Sequence, residues 1–175
     1  MIQLATFLTA CLLLGAVHGN AGTKKKTGCN EGNTVSQVLA ALQKETYYLT
    51  RTTNTTREPC YFLSAQGLNE ECVSGTPVTY GYKEGKKWFN VTEGVTEEKD
   101  EKSKKEHRFP SGLRGPLSGK KVSVQGDNCF VLRLQDEIEL WVTKAFVDTS
   151  TCCKSTFDKI TKNQTSQTTY EPDFC

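Results

Sequence analysis

The stretch that decides the fold of this chain runs Cys129-Phe-Val-Leu-Arg-Leu134, Gln135-Asp-Glu137 and Ile138-Glu-Leu-Trp-Val-Thr143. Its apolar runs predict two antiparallel strands, and the polar residues between them predict the tight turn of a hairpin. Because side chains alternate between the faces of a strand, Phe130 and Leu132 share one face. By the same rule, Glu139 and Trp141 share one face of the second strand.

A carboxylate and an indole on one strand face allow two interpretations. In the first, Trp141 caps a hydrophobic core and Glu139 lies at its solvated edge. In the second, this face lines a ligand cavity together with Phe130 and Leu132.

The N-terminus has the pattern of a secretion signal. Residues 4–17 are apolar and uncharged, and Val17-His18-Gly19 supplies small residues for cleavage. We therefore predict a signal peptide at residues 1–19, a flexible leader at 20–28 and one domain at 29–175 of a secreted, extracellular protein. No later segment is apolar enough to cross a membrane. The net charge of +2 argues against a nucleic-acid partner.

Cysteine usage is the most informative part of the composition. Of eight cysteines, Cys11 lies in the signal, which leaves seven that should mostly form disulfides in a secreted chain. Adjacent Cys152 and Cys153 rarely bond to each other, so each should reach a distant part of the chain. The wide spacing, without Cys-x-x-Cys pairs, argues against a zinc site, and no cofactor is expected. One thiol is left over, and the spacing does not say which.

Acceptor sequences for N-glycosylation occur at Asn54, Asn90 and Asn163. Each fits Asn-x-Thr, so these asparagines should face solvent if they carry glycans.

The remaining pattern predicts a helix, a run of short strands and a second helix. Thr34 to Gln37 forms a capping box before one amphipathic helix. The period then changes to two, and the strand 46–53 should carry Tyr47, Leu49 and Arg51 on one face. Further strands are predicted at 60–65, 78–82, 86–92, 113–117 and 121–124, two solvated strand ends within 97–108, and a helix after a Thr151 cap.

This order of elements resembles a lipocalin, and the motifs resemble the salivary lipocalins of ticks. The resemblance rests on Cys129-Phe-Val, Glu139-Leu-Trp, Cys152-Cys153, the terminal Cys175, Tyr47-Tyr-Leu-Thr-Arg51 and Val78-Thr-Tyr-Gly-Tyr-Lys83. The last two are similar to the soft-tick branch of that family, with its moubatin-like proteins and the pigeon-tick allergen. The resemblance implies an all-β, eight-stranded antiparallel barrel with a short N-terminal helix and a C-terminal helix packed outside.

The resemblance also implies a disulfide pattern and a mode of action. The implied bridges are Cys29–Cys152, Cys60–Cys175 and Cys129–Cys153, which leave Cys72 unpaired. Family members capture host mediators without turnover, and some bind a complement protein. The residues agree with a binding protein, since one histidine follows the signal and no nucleophile elbow is present. We expect no enzyme activity.

The ligand prediction depends on residue 130. Amine-binding relatives carry Asp where this chain has Phe130, and a buried ammonium needs a counter-charge. Glu139 remains, but it also stands in relatives that bind no amine. The sequence therefore favours an acidic eicosanoid, a leukotriene or thromboxane, with Arg51 as the cation for its carboxylate. The predicted lining is Tyr47, Leu49, Arg51, Tyr61, Leu63, Val78, Tyr80, Tyr82, Phe89, Phe130, Leu132, Glu139 and Trp141.

Two alternatives stay open. The first is capture of histamine or serotonin through Glu139, with cation–π contact to Trp141 or Tyr80. The second is binding of a host plasma protein through the loops 66–76 and 97–110. In every case we expect a monomer.

Overall fold

The computed structural model describes residues 28–31, 34–66, 74–96, 98–99 and 107–175. The predicted signal peptide, all but the last residue of the predicted leader, Cys72 and most of the two predicted binding loops lie outside these residues. The boundaries at 19 and 28 therefore stay predictions. No helix among the described residues has the length and apolar character needed to cross a bilayer.

The described chain is mostly β-structure with two helices and one 3-10 turn at Lys144–Phe146. The helices are α1 (Val35–Leu42) and α2 (Cys152–Ile160). The strands are β1 (Asn30–Glu31), β2 (Tyr47–Thr52), β3 (Phe62–Ser64), β4 (Thr76–Glu84), β5 (Lys87–Val95), β6 (Glu98–Lys99), β7 (His107–Arg108), β8 (Lys121–Gln125), β9 (Cys129–Leu134), β10 (Glu137–Thr143) and β11 (Gln167–Thr168).

One antiparallel sheet contains all of these strands. Its neighbours run β5-β4-β3-β2-β10-β9-β8-β7-β6, while β1 pairs with β8 and β11 with β2. Within the described residues, β5 and β6 end this path without pairing with each other, so the described sheet is not closed. The all-β prediction is confirmed, as are the short N-terminal helix and the C-terminal helix.

The β9–β10 hairpin separates an interior cluster from an outer one. Trp141 lies opposite Phe130 and Glu139 opposite Leu132 in the pairing register, and all four side chains are fully buried. The alternate residues of the two strands face the other way and pack against α2. This outer cluster contains Val124, Cys129, Val131, Ile138, Leu140, Val142, Cys153 and Phe157. The predicted alternation of faces in this hairpin is confirmed.

The helix α1 begins at the predicted capping box. The Thr34 Oγ1 accepts a hydrogen bond from the Gln37 N–H at 3.3 Å, and the Thr34 N–H donates to Gln37 Oε1 at 2.8 Å. These contacts satisfy N–H groups that the first turn of a helix leaves unpaired. The buried stripe Val35, Val38, Leu39 and Leu42 belongs to the interior cluster. The helix therefore covers one end of the interior, where the Ala65 N–H donates to the Leu42 carbonyl at 2.9 Å.

Three disulfides fix the ends of the chain to the sheet. They join Cys29 to Cys152, Cys60 to Cys175 and Cys129 to Cys153, as the resemblance implied. Two of them start from the first turn of α2, which is thereby held on the outer face of β9. The third holds the C-terminal tail.

Other local predictions differ from the structure. The strand predicted at 113–117 is wrong, because the segment 110–119 forms turns that carry Leu117 into the interior cluster. In α2, Cys153 and Phe157 are buried and Ile160 is exposed. The two predicted strand ends in the charged run are confirmed as the paired strands β6 and β7.

Replacing both Cys60 and Cys175 by serine should lower the free energy of unfolding by about 2–5 kcal/mol. The bridge spans 115 residues and holds the tail against the Cys60 backbone, whose N–H donates to the Thr169 carbonyl at 2.8 Å. Urea unfolding followed by far-UV circular dichroism measures the change. A loss of less than about 1 kcal/mol would show that the tail is held without the bridge.

Candidate functional site

Most of the predicted lining residues belong to the barrel interior. Tyr47, Leu49, Tyr61, Leu63, Val78, Tyr80, Phe130, Leu132 and Trp141 are buried in its apolar cluster, and Tyr82 packs against that cluster. Phe89 stacks on Tyr82 but is 39% exposed, so it lies outside the buried interior. Glu139 is buried on the same face of β10 as Trp141. Contact of these residues with a ligand stays a prediction.

Arg51 lies on the other face of its strand. The pairing of β2 with β10 shifts register between Leu140 and Trp141, so Leu49 lies opposite Trp141 but Arg51 lies opposite the outward-facing Leu140. A β-bulge of this kind moves the following side chains to the other face of the strand. Arg51 forms an ion pair with Asp158 of α2 and lies over the Phe157 ring at 4.7 Å. The prediction that Arg51 lines the interior is therefore wrong.

Aromatic rings occupy the interior near α1. The Tyr47 and Phe130 ring centroids are 4.8 Å apart, and those of Phe130 and Trp141 are 6.2 Å apart with nearly parallel planes. Burial, followed by the charges of Glu45 and Asp127, raises the pKa of Tyr47 to about 12. The Phe130 side chain thus projects into the interior, as predicted, and offers an apolar surface there.

A buried ion cluster lies further along the same strand. Glu139 Oε1 accepts from Arg57 Nη2 at 2.6 Å and lies 2.5 Å from Lys120 Nζ, while its Oε2 accepts from Trp141 Nε1 at 3.0 Å. A buried carboxylate is costly unless it is paired and hydrogen-bonded. All of the Glu139 interactions come from the protein itself, so the residue is engaged structurally before any ligand arrives.

Glu137 completes this cluster. Its Oε1 lies 2.5 Å from Arg57 Nη2 and 3.5 Å from Lys120 Nζ, and it accepts from Asn54 Nδ2 at 3.3 Å. Burial alone would lower the pKa of Arg57, but the two carboxylates outweigh it and raise that pKa. Burial alone would raise the pKa of Glu137, but Lys120 and Arg57 outweigh it and lower that pKa. Two cations thus balance two carboxylates.

A row of stacked aromatic rings leads away from the cluster. Tyr61 stacks on Tyr82 at 5.0 Å and Tyr82 stacks on Phe89 at 5.4 Å, with the Arg57 guanidinium 5.1 Å from the Tyr61 ring centroid. Burial, followed by the charge of Glu58, raises the pKa of Tyr61 to about 12. These rings supply apolar faces and hydroxyl groups, but no negative charge at neutral pH.

A second inward-facing carboxylate, Glu93, is missing from the predicted set. Glu93 lies opposite Val78 in the pairing of β4 with β5, and Val78 belongs to the interior cluster, as does Val95 two residues further on. Its carboxylate accepts from the backbone N–H groups of Arg114 and Gly115 at 2.8 and 2.9 Å. Among the described residues, no lysine or arginine side chain forms an ion pair with it.

The position of Glu93 beside Tyr80 depends on a glycine. A Cβ on Gly115 would overlap the Tyr80 ring and lie 2.9 Å from Glu93 Oε1, so only glycine lets this turn approach both side chains. The sequence did carry a signal for Glu93. Strand alternation that turns Phe89 and Val91 inward also turns Glu93 inward, if the strand continues past 92. The predicted strand 86–92 ended three residues before the observed end at Val95 and therefore left Glu93 out.

Comparisons with known proteins identify relatives of the whole domain. Residues 24–175 match the family model described as tick histamine binding protein. Among solved structures, the serotonin complex of the protein AM182 superposes with a TM-score of 0.55 at 21% sequence identity, covering 78% of this chain and 92% of that one. This likeness confirms the lipocalin-like barrel fold. No curated protein matches the chain.

Lys120→Met should lower the free energy of unfolding by about 3 kcal/mol, because it leaves the buried Glu139 with one cation instead of two. The matched control is Lys144→Met, at an exposed lysine, which should stay within about 0.5 kcal/mol of the parent. Chemical unfolding of the three proteins at pH 7 measures both values. Equal losses in the two variants would contradict the structural role of the cluster.

Stability should fall in acid through Glu137. Its folded-state pKa lies below the ordinary value of 4.5, so its contribution is present above that value and is lost as the pH falls through the folded-state pKa. Glu137→Gln should therefore be less stable at pH 7 and should flatten the decline between about pH 5 and pH 2. Thermal unfolding across this pH range measures the dependence of stability on pH. The control is Asp136→Asn, at an exposed turn residue, which should keep the pH dependence of the parent protein.

Proposed function

The chain belongs to the tick histamine-binding protein family, and from that premise we propose that it captures a small cationic amine of the histamine or serotonin class. It does so by stoichiometric binding in the barrel interior, without turnover. This proposal ranks an amine above an acidic eicosanoid, whereas Phe130 alone favoured the eicosanoid. Both the family and the serotonin complex of AM182 support the amine class.

The observation that carries the proposal is the environment of Glu93. An ammonium group taken out of water needs an opposite charge close by. Glu139 does not offer one, because Arg57 and Lys120 already neutralise it. Glu93 is held by two backbone N–H groups, which fix its orientation, and no described lysine or arginine side chain forms an ion pair with it. We therefore assign the amine to Glu93.

Tyr80 is the aromatic partner in this assignment. It lies on the same inner face, and both side chains border the bare Cα of Gly115. Burial, followed by the charge of Glu93, raises the pKa of Tyr80, so the phenol is neutral when the amine is charged. A neutral ring face attracts a cation, and the hydroxyl is available to a hydroxylated or imidazole ligand.

The proposed setting is extracellular. The signal-like N-terminus and the three disulfides support secretion, and the family supports saliva as the source. Captured amine would be removed from host tissue at the site of feeding. Assignment to the soft-tick branch and the monomeric state belong to the same proposal and rest on the sequence.

An acidic eicosanoid is the second candidate, and one observation favours it. The Arg57 Nε is buried and has no hydrogen-bond partner among the described residues. A buried donor of this kind is costly to leave unpaired, and a ligand carboxylate would satisfy it. The Tyr61, Tyr82 and Phe89 rings extend from the same guanidinium and would suit a hydrocarbon chain.

Glu93→Gln should weaken histamine or serotonin binding by about 10- to 100-fold, because a hydrogen bond to a charged partner contributes about 1.5–3 kcal/mol. Glutamine keeps one of the two acceptor oxygens for the loop N–H groups and removes the charge. The matched control, Glu84→Gln, changes an exposed carboxylate at the end of β4 and should leave the affinity unchanged. Isothermal titration of purified protein with each amine and with a leukotriene measures the affinities.

The same titrations separate the candidates. Amine binding that is lost in Glu93→Gln supports the proposal. Leukotriene binding that survives Glu93→Gln but is lost in Arg57→Lys supports the second candidate. Lysine at position 57 keeps the positive charge but removes the Nε donor. If the protein binds neither amines nor leukotrienes, and a pull-down from host plasma recovers a specific partner protein, the host-protein alternative is favoured.

A further inference from the structure

An aromatic patch lies on the outer face of the barrel, away from the interior site. Trp88 on β5 is 43% exposed, meets the Phe62 ring edge-on at 6.0 Å and has Lys83 Nζ at 5.8 Å from its centroid. Trp141, the other tryptophan, is fully buried. The exposed indole, with the Phe62 ring beside it, offers an aromatic surface to a further group.

Asn90 lies two residues along the same strand and therefore on the same face as Trp88. It pairs with Gly81 of β4, where a Cβ would overlap both the Asn90 Oδ1 and the Phe62 ring. The glycine thus lets the asparagine and the ring approach each other over a bare backbone. Asn90 is exposed, and its side chain forms no hydrogen bond within the described part of the chain.

We propose that Asn90 carries an N-linked glycan whose first N-acetylglucosamine packs on the Trp88 ring. Trp88, Asn90 and Thr92 alternate along one face of β5, so the acceptor motif and the aromatic side chain share that face. The C–H groups of a pyranose ring attract an aromatic face by dispersion and by its negative quadrupole. The glycan thereby covers the exposed indole.

The modification is a group transfer in the secretory pathway. The donor is an oligosaccharide on a lipid diphosphate. A C–N bond forms between the anomeric carbon and Asn90 Nδ2, the anomeric C–O bond to the diphosphate breaks, and the lipid diphosphate leaves with that electron pair. One amide proton of Asn90 passes to a base of the transferase.

The structure distinguishes Asn90 from Asn54. Asn54 is half-buried, its Oδ1 accepts from the Thr56 N–H and hydroxyl at 3.0 and 2.8 Å, and its Nδ2 donates to Glu137 at 3.3 Å. A sugar on that nitrogen would crowd the ion cluster that Glu137 shares with Arg57. Chains glycosylated at Asn54 should therefore fail to reach the native state. Asn163, in the exposed turn after α2, has no such restriction.

Site occupancy is the first test. The full chain is expressed in a eukaryotic host that secretes it. The secreted protein is treated with a peptide-N-glycosidase in water enriched in oxygen-18, which labels each formerly glycosylated asparagine, and its peptides are then analysed by mass spectrometry. Label should appear at Asn90 and be absent from Asn54. Unmodified Asn90, or a native protein labelled at Asn54, would overturn the proposal. Neither outcome bears on amine binding, so this test is independent of the proposed function.

The contact with Trp88 has its own measurement. Because Trp141 is buried, acrylamide quenching of tryptophan fluorescence reports chiefly on Trp88. After trimming to a single N-acetylglucosamine, the quenching constant should be lower than that of the unglycosylated Asn90→Gln variant, because the sugar shields the ring. The matched control, Asn163→Gln, should quench like the trimmed parent. Equal quenching with and without sugar at Asn90 would refute the packing.

A thermal comparison guards against indirect effects. The single sugar at Asn90 should raise the melting temperature over Asn90→Gln when Trp88 is present, and the gain should disappear in Trp88→Leu. A gain of the same size in Trp88→Leu would show that the sugar acts without the ring.

Discussion

The fold depends on keeping one carboxylate out of water without leaving it unpaired. Glu139 is fully buried, and its three partners come from separate parts of the chain: Arg57 from the β2–β3 connection, Lys120 from the turn before β8 and Trp141 from its own strand. Removing any one of them leaves a buried charge short of a partner, which costs more than an exposed pair contributes. The cluster therefore fixes where two loops meet the barrel wall.

That constraint decides what the interior has left for a ligand. Sequence reasoning treats Glu139 as a possible counter-charge for an amine, but its carboxylate already has two cations at Oε1 and the Trp141 N–H at Oε2. Glu93 contrasts with it, since backbone N–H groups orient a carboxylate without neutralising its full charge. The two inward-facing carboxylates thus differ in their partners, and that difference, rather than their residue type, supports the proposal that Glu93 holds the amine.

Local periodicity was enough to predict the hairpin faces, because β9 and β10 pair without a bulge and Phe130 and Trp141 follow the simple alternation. The capping box of α1 is equally local, so Thr34 identified the helix start. Arg51 could not be placed correctly, since the bulge depends on the pairing of β2 with β10. The cations that pair with Glu139 could not be predicted, because they come from loops that are distant in sequence and have no periodic pattern. The disulfide pairs came from the family resemblance, as cysteine spacing alone leaves them open.

The bulge in β2 has an electrostatic consequence. Had the alternation of faces continued along β2, Arg51 would point inward near Glu139. It would then add a third cation to the cluster of two carboxylates, Glu137 and Glu139. The register shift instead turns Thr52 inward, opposite Glu139, and sends Arg51 to the outer face. There it pairs with Asp158 and covers the Phe157 ring, so its charge contributes to docking α2. A single extra residue in one strand thus keeps the interior cluster balanced and supplies the outer layer with a cation.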